Sequence, residues 1–162
     1  MVSDTSPLTN LAAIGHFHLL RDLFDSLVIA EAVWVELNDG GQRWPGRDEV
    51  LAAPWIKRQT PQNRLLVTAL RQDLDPGEAE SIALALQLEA SLILLDEREG
   101  RHKALQLGLR PLGVIGILLM AKSRGLISEV RPRLDALRQQ AGFYLGASVY
   151  AEAIRLAHET AG

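Results

Sequence analysis

The chain has 162 residues, 48% of them hydrophobic and 23% charged, a composition typical of one globular domain with a buried core. Its formal net charge of -3 argues against a protein that binds nucleic acid through many lysine and arginine contacts. The absence of cysteine excludes disulfides and cysteine-bearing zinc sites and suits a reducing compartment. Because the sequence has neither a signal-peptide pattern nor an apolar run of membrane-spanning length, we expect a single cytoplasmic domain over residues 1–162.

Short apolar strands alternate with helical runs along the chain. Strands are predicted over 1–4, 27–30, 55–60, 91–95 and 110–114. Helices are predicted over 7–14, 17–24, 31–38, 48–53, 62–72, 75–90, 99–107, 115–124, 130–141 and 148–158, and a glycine-rich loop over 39–48. This alternation predicts an α/β fold with a mostly parallel central sheet.

Asp4 follows the first predicted strand and precedes the first helix. We interpret Ser6 as the N-cap and Pro7 as the first helical residue, so the helix does not need the Asp4 carboxylate. Sites in parallel sheets form beyond the carboxyl ends of the strands, which is where Asp4 lies. The alternative is an Asx turn.

Two helices carry further candidate carboxylates. Glu36 lies on the flank of the apolar stripe of its helix, where it is either a site residue or an edge residue whose head reaches water. In "DPGEAESIALAL", Asp75 is predicted to be the N-cap and Glu78 its capping-box partner. Glu78 aligns with the buried face and Glu80 with a solvated face, so Glu78 is the better candidate for a site.

The strand at 91–95 ends directly before two more acids, Asp96 and Glu97. Asp96 has a structural alternative as the N-cap of the next helix, but it also occupies the same kind of position as Asp4. Clustered carboxylates repel one another unless a cation lies among them, and Mg²⁺ or Mn²⁺ prefers such oxygen ligands. The sequence therefore predicts a divalent-metal site at this edge of the sheet.

Four motifs, in this order along the chain, resemble those of the PIN-domain ribonucleases, in particular the branch of VapC-type toxins. They are "VSDTSPL", "EAVWVEL", "DPGEAESIALAL" and "LILLDEREGR", and the run "GLISEVRPRLDALRQQAGFYL" resembles the helical end of one subgroup. The resemblance implies a three-layer α/β/α sandwich, here with extra C-terminal helices. It also implies a metal-dependent endoribonuclease whose partners are an RNA substrate, an antitoxin protein and a second copy of the chain.

The resemblance also assigns the site by position. The catalytic and metal-binding acids would be Asp4, Glu36, Glu78 and Asp96, with Glu97 as the alternative to Asp96, around Mg²⁺ or Mn²⁺. The third of these positions is more often aspartate in the family, and the glutamate here is one methylene longer. Ser6 matches a small hydroxyl residue near the first acid.

A basic cluster follows the fourth acid and consists of Arg98, Arg101, His102 and Lys103. Arg98 and Arg101 are candidates for holding the RNA backbone, and a solvated helix face is the alternative. Trp44, in the glycine-rich segment, is a further candidate for substrate contact.

Two other functions fit parts of the sequence. In a phosphatase of the haloacid-dehalogenase type Asp4 would be the nucleophile, but Ser6 stands where that family has a second aspartate. The other alternative is a non-catalytic interaction module that keeps a PIN-like fold.

Overall fold

The computed structural model describes residues 1–39 and 44–160 of the chain. The described residues form five strands: β1 (Val2–Ser3), β2 (Leu27–Ala30), β3 (Ile56–Gln59), β4 (Ile93–Leu94) and β5 (Pro111–Leu112). They make one sheet in the order β3-β2-β1-β4-β5, and every neighbouring pair is parallel. The sheet that was predicted as mostly parallel is parallel throughout.

Ten helices lie within the described residues. In chain order they are α1 (Thr5–Ala13), α2 (Leu19–Phe24), α3 (Glu31–Leu37), α4 (Arg47–Leu51), α5 (Arg64–Leu70), α6 (Pro76–Gln87), α7 (Arg98–Gln106), α8 (Val114–Ser123), α9 (Arg131–Gln139) and α10 (Ala147–Leu156). They flank the sheet, which confirms the three-layer α/β/α sandwich and the additional C-terminal helices. None of the described helices is long and apolar enough to cross a membrane.

One difference from the predicted boundaries lies at the start of α1. The helix begins at Thr5 with Asp4 in the N-cap position, so the interpretation of Ser6 as N-cap and Pro7 as first helical residue is wrong. The reason is that β1 ends at Ser3 and the chain turns directly into the helix. The Asp4 side chain nevertheless makes no capping hydrogen bond, so its carboxylate remains unused by the helix.

Elsewhere the predicted elements are present, but they begin or end at other residues than predicted. The strands at 1–4, 91–95 and 110–114 are reduced to two residues each. β1 and β4 lie between parallel neighbours and β5 lies at the edge of the sheet, and apolar residues such as Leu95 stay buried beyond the last ladder pair. The predicted loop over 39–48 is too long at its end, because α4 starts at Arg47, and its residues 40–43 lie outside the described residues.

The order of the strands places a reversal point in the middle of the sheet. From β1 the chain moves outward to β2 and β3, then crosses back to β4 on the other side of β1. In open parallel sheets, ligands bind in the crevice that such a reversal opens beyond the carboxyl ends of the strands. Here the crevice lies between β1 and β4. Asp4 lies just beyond the end of β1, and Asp96 and Glu97 lie just beyond the end of β4.

The C-terminal helices are held to the body of the domain by Glu159. Its carboxylate accepts hydrogen bonds from the backbone N–H groups of Val130 (2.7 Å) and Arg131 (3.0 Å), and it forms an ion pair with Lys122 at 2.9 Å. The Lys122 ammonium also donates to the carbonyl of Ala157. These contacts tie the end of the chain to α8 and to the start of α9.

Candidate carboxylate site

Asp4 lies at the centre of the candidate site, directly beyond β1. It is 3% exposed, and its Oδ1 has no hydrogen-bond partner among the residues that the structure describes. Burial raises the pKa of Asp4 to about 8; the N–H of Thr5 opposes this, and the charges of Asp75, Glu36 and Asp96 add to it. A buried carboxyl without a partner is costly to fold, and such groups are found where function requires them.

Glu36, on α3, is held by two neighbours. Its Oε2 accepts a 2.5 Å hydrogen bond from the Thr5 hydroxyl, and its Oε1 accepts one of 3.0 Å from the N–H of Gly77 at the start of α6. Burial raises its pKa, the Thr5 hydroxyl opposes the rise, and the nearby charge of Asp75 strengthens it. The structure therefore places Glu36 as a half-buried carboxylate that Thr5 and Gly77 hold beside α1 and α6.

Glu78 is also buried, at 6% exposure, in the first turn of α6. Burial raises its pKa to about 9, and the hydrogen bond that the protonated Glu78 carboxyl donates to the Asp75 side chain and the charges of Asp75, Asp4 and Glu97 act in the same direction. Asp75 is the N-cap, as predicted, since its Oδ1 accepts from the Glu78 N–H at 2.8 Å. The same residue also lines the site, which sequence reasoning missed because capping already explained it.

Glu80 is buried as well, so the prediction that it lies on a solvated face is wrong. Its carboxylate is 8% exposed, accepts a 3.1 Å hydrogen bond from the N–H of Ala32 in α3, and forms a 3.1 Å ion pair with Arg64 in α5. The physical reason is that α3 and α5 both pack on α6 and cover the face that a single helix would leave open. Glu80 has its partners, whereas Glu78 faces other carboxylates.

Asp96 and Glu97 point to different sides. Oδ1 of Asp96 accepts a 2.7 Å hydrogen bond from the N–H of Val114, and its Oδ2 accepts one of 3.4 Å from the Asn10 amide. Burial raises the pKa of Asp96, while these two hydrogen bonds and the charge of Arg101 oppose the rise. Glu97 lies in the N-cap position of α7 without a side-chain capping bond, so the structural alternative for Asp96 as that N-cap is wrong.

Two clefts open beside these acids. The smaller, of about 450 Å³, is lined by residues from α1, α3 and the starts of α6 and α7: Asp4, Thr5, Ser6, Thr9, Glu36, Asp39, Trp44, Asp75 and Glu97. The larger, of about 1020 Å³, begins at Asp96, Arg98, Arg101 and His102 and continues as an apolar groove between α7, α8 and α10. Of the predicted residues, the smaller cleft has Asp4, Ser6, Glu36 and Glu97, the larger has Asp96 and the two arginines, and Glu78 lines neither.

The basic cluster is only partly available for a substrate. Arg98 is exposed, whereas Arg101 donates a 3.2 Å hydrogen bond to the carbonyl of Leu95 and stands beside Asp96. Lys103 lies 3.8 Å from Asp73 on the neighbouring segment. Arg98 and Arg101 therefore form the basic rim of the larger cleft next to the acids.

The donor set fits a hard divalent cation. The oxygens are carboxylates, one of them lacks any partner in the described residues, and the neighbouring carboxylates add to the rise that burial causes in the pKa values of Asp4 and Glu78. As they stand, no three carboxylate or imidazole side chains of residues 1–39 and 44–160 are close enough together to hold an ion. A cation would have to draw Asp4 and its neighbours inward.

A parallel α/β/α sandwich with a carboxylate cluster at its central reversal point defines an α/β protein built for hydrolytic or ligand-binding chemistry at that crevice. The family model DUF3368, described as a PIN domain, matches residues 1–159. The chain belongs to the PIN-domain family, whose members are generally nucleases. No curated protein and no solved structure matches the chain significantly.

Proposed function

We propose that this chain is a Mg²⁺- or Mn²⁺-dependent endoribonuclease that hydrolyses RNA phosphodiester bonds. Membership of a family of nucleases supports the class of reaction. The observation that carries the proposal is the buried Asp4 carboxyl, which has an unpartnered Oδ1 within the described residues and three other carboxylates around it. Burial and the neighbouring carboxylates both raise its pKa.

We assign the metal to Asp4, Glu36, Glu78 and Asp96, with Glu97 as the alternative fourth acid. Two such ions supply an activated water and stabilisation of the leaving oxygen. The chain itself orients the acids: Thr5 and Gly77 hold Glu36, and Asn10 and Val114 hold Asp96. Because Asp75 lies among the same carboxylates, it adds negative charge that makes the cluster more attractive to a cation.

Arg98 and Arg101 are proposed to bind the phosphate backbone of the RNA. Both line the larger cleft together with Asp96, so a strand lying there would pass the acids. Ser6 and Trp44 line the smaller cleft and are proposed to contact the nucleotide on the other side. With a formal net charge of -3, the chain would depend on bound cations for much of its attraction to RNA.

The biological setting follows from the family resemblance. We propose a cytoplasmic toxin that pairs with a protein antitoxin and acts as a homodimer. The lack of cysteine suits that compartment.

The test of the function is an RNA cleavage assay of the wild-type protein with Mn²⁺, with Mg²⁺, and with chelator. We expect internal cleavage that requires the metal and stops when the chelator removes it. A protein that binds neither Mn²⁺ nor RNA would instead be a non-catalytic module. A phospho-aspartate trapped at Asp4 would support the phosphatase, against which stands Ser6 at the position where that family has a second aspartate.

Two neighbouring glutamates on α6 provide a matched pair of variants. We expect Glu78→Gln to lower metal-dependent kcat/KM by about 100-fold, since it removes a ligand charge. Glu80→Gln should keep kcat/KM within about twofold, because its partners are Ala32 and Arg64, and it should lower stability by about 1 kcal/mol. Cleavage kinetics and thermal unfolding of both variants measure this. Equal losses of activity would contradict the assignment of Glu78.

A further inference from the structure

Two glycines lie against the carboxylates of the candidate site. A Cβ added at Gly77 would lie 2.5 Å from Oε1 of Glu36 and 3.0 Å from its Oε2 and Cδ. A Cβ added at Gly100 would lie 2.8 Å from Oε2 of Glu78. Since real Cβ atoms essentially never approach closer than 3.0 Å, neither position accepts alanine unless the carboxylate moves.

Gly113 repeats the arrangement at the fourth acid. Its added Cβ would lie 2.8 Å from Oδ1 of Asp96 and 2.9 Å from the guanidinium of Arg101. All three glycines lie at helix starts: Gly77 is the second residue of α6, Gly100 the third residue of α7 and Gly113 the N-cap of α8. Each of these helix starts therefore approaches an acid through a residue without a side chain.

Backbone conformation does not explain these glycines. Gly15, Gly108 and Gly125 have φ values of +75°, +83° and +75°, and an added Cβ at them meets nothing within 4 Å, so they serve turns. Gly113 has an ordinary φ of -89°, and neither Gly77 nor Gly100 has a left-handed φ. What excludes a side chain at these positions is the neighbouring carboxylate.

We infer that Gly77, together with Gly100 and Gly113, is a positioning residue for the carboxylate site. The missing side chain lets Glu36 lie against the start of α6, where the N–H of Gly77 holds it at 3.0 Å. A methyl group would push the carboxylate outward by several tenths of an ångström. The inference rests on the proposed function, because positioning has meaning only if these acids act.

Gly77 is the best position for the test because the three nearest atoms to its added Cβ all belong to Glu36. We expect Gly77→Ala to reduce Mn²⁺ affinity and to reduce kcat/KM for RNA cleavage by about 10- to 100-fold, as small displacements in active sites do. Gly146→Ala is the control: Gly146 also precedes a helix without a left-handed φ, and its added Cβ would meet only Tyr144, at 3.7 Å. This control should keep the Mn²⁺ affinity and the kcat/KM of the wild type.

A size exchange separates positioning from general damage. Glu36→Asp shortens the acid by one methylene and makes room for the new methyl group. In the double variant Gly77→Ala/Glu36→Asp, we expect kcat/KM and Mn²⁺ affinity to exceed by about tenfold the product of the two single effects. Circular dichroism and thermal unfolding of all variants show whether each has folded.

The outcomes are distinct. The inference is overturned if Gly77→Ala keeps the wild-type Mn²⁺ affinity and kcat/KM. It is also overturned if the losses of the double variant equal the product of the losses of the two single variants. Failure of the wild-type protein itself to cleave RNA or to bind Mn²⁺ would overturn the proposed function, and the positioning role with it. A protein that cleaves RNA but shows no rescue keeps the function and loses only the glycine's role.

Discussion

We expect Asp4→Asn to lower kcat/KM for the proposed metal-dependent RNA cleavage on the order of 1000-fold, or about 4 kcal/mol of transition-state stabilisation. The physical reason is that Asn keeps the shape of the side chain but removes the negative charge at the reversal point of the sheet. Asp4 is the buried acid whose Oδ1 is unpartnered within the described residues, so no other contact has to be broken to see this effect. Single-turnover cleavage with saturating Mn²⁺ measures it.

Asp22→Asn is the matched control, since Asp22 is an exposed residue of α2 that lines neither cleft beside the acids. We expect it to cleave RNA at the wild-type rate. Calorimetric titration with Mn²⁺ should show that Asp4→Asn also loses affinity for the ion. Cleavage by Asp4→Asn at the wild-type rate would remove Asp4 from the mechanism.

The same substitution should stabilise the metal-free protein. The pKa of Asp4 is about 8 in the folded chain, against an ordinary value of 3.8. Between these two pH values the unfolded chain has released a proton that the folded chain still holds, so stability falls as pH rises through this window. Asn cannot titrate, and at pH 9 we expect Asp4→Asn to be more stable than the wild type by about 1–3 kcal/mol.

Urea unfolding with chelator at a series of pH values from 4 to 9 measures this effect. The stability difference should shrink towards pH 4, where both chains are uncharged at this position. Glu78, whose pKa is about 9, should leave a residual decline in the variant. Saturating Mn²⁺ should make the wild type more stable than Asp4→Asn, since the ion stabilises only a folded protein that binds it. Parallel curves for the two proteins would contradict the raised pKa.

A gain in stability together with a loss of activity would identify Asp4 as a residue kept for function. Buried groups that serve only the fold have partners, as Glu80 has in Ala32 and Arg64 and Glu159 has in Lys122. Asp4 instead has an Oδ1 without a partner among the described residues, and burial is the leading cause of its raised pKa. This difference separates the two kinds of buried acid in one small domain.

The fold class could be predicted from the sequence because it depends on local patterns. The alternation of short apolar runs with amphipathic ones predicts parallel strands joined by helices, and the structure confirms it. The strong N-cap of α6 at Asp75 was predicted for the same reason, since the cap and its partner are only three residues apart. Strand lengths were predicted less well, because ladder ends depend on neighbouring strands.

The candidate site could be predicted only in part. Asp4 and Asp96 stand at the ends of their strands in the sequence itself, and a parallel sheet places such ends on one edge. The sequence alone could not decide between Ser6 and Asp4 as the start of α1, which depends on where β1 stops. The helical position of Glu80 likewise predicts a solvated side chain, because no local pattern shows that α3 and α5 cover that face of α6.

By itself, then, the sequence determined the α/β class, the parallel alternation and the set of acids from which a site could be drawn, since these follow from short-range periodicity and chain order. Only the tertiary structure decided which acids have partners, that Asp75 joins the cluster, and why Gly77, Gly100 and Gly113 lack side chains. The physical reason is that burial, charge repulsion and the space for a Cβ depend on groups distant in the chain. Glu36 and Gly77, 41 residues apart, meet only when α3 and α6 pack together.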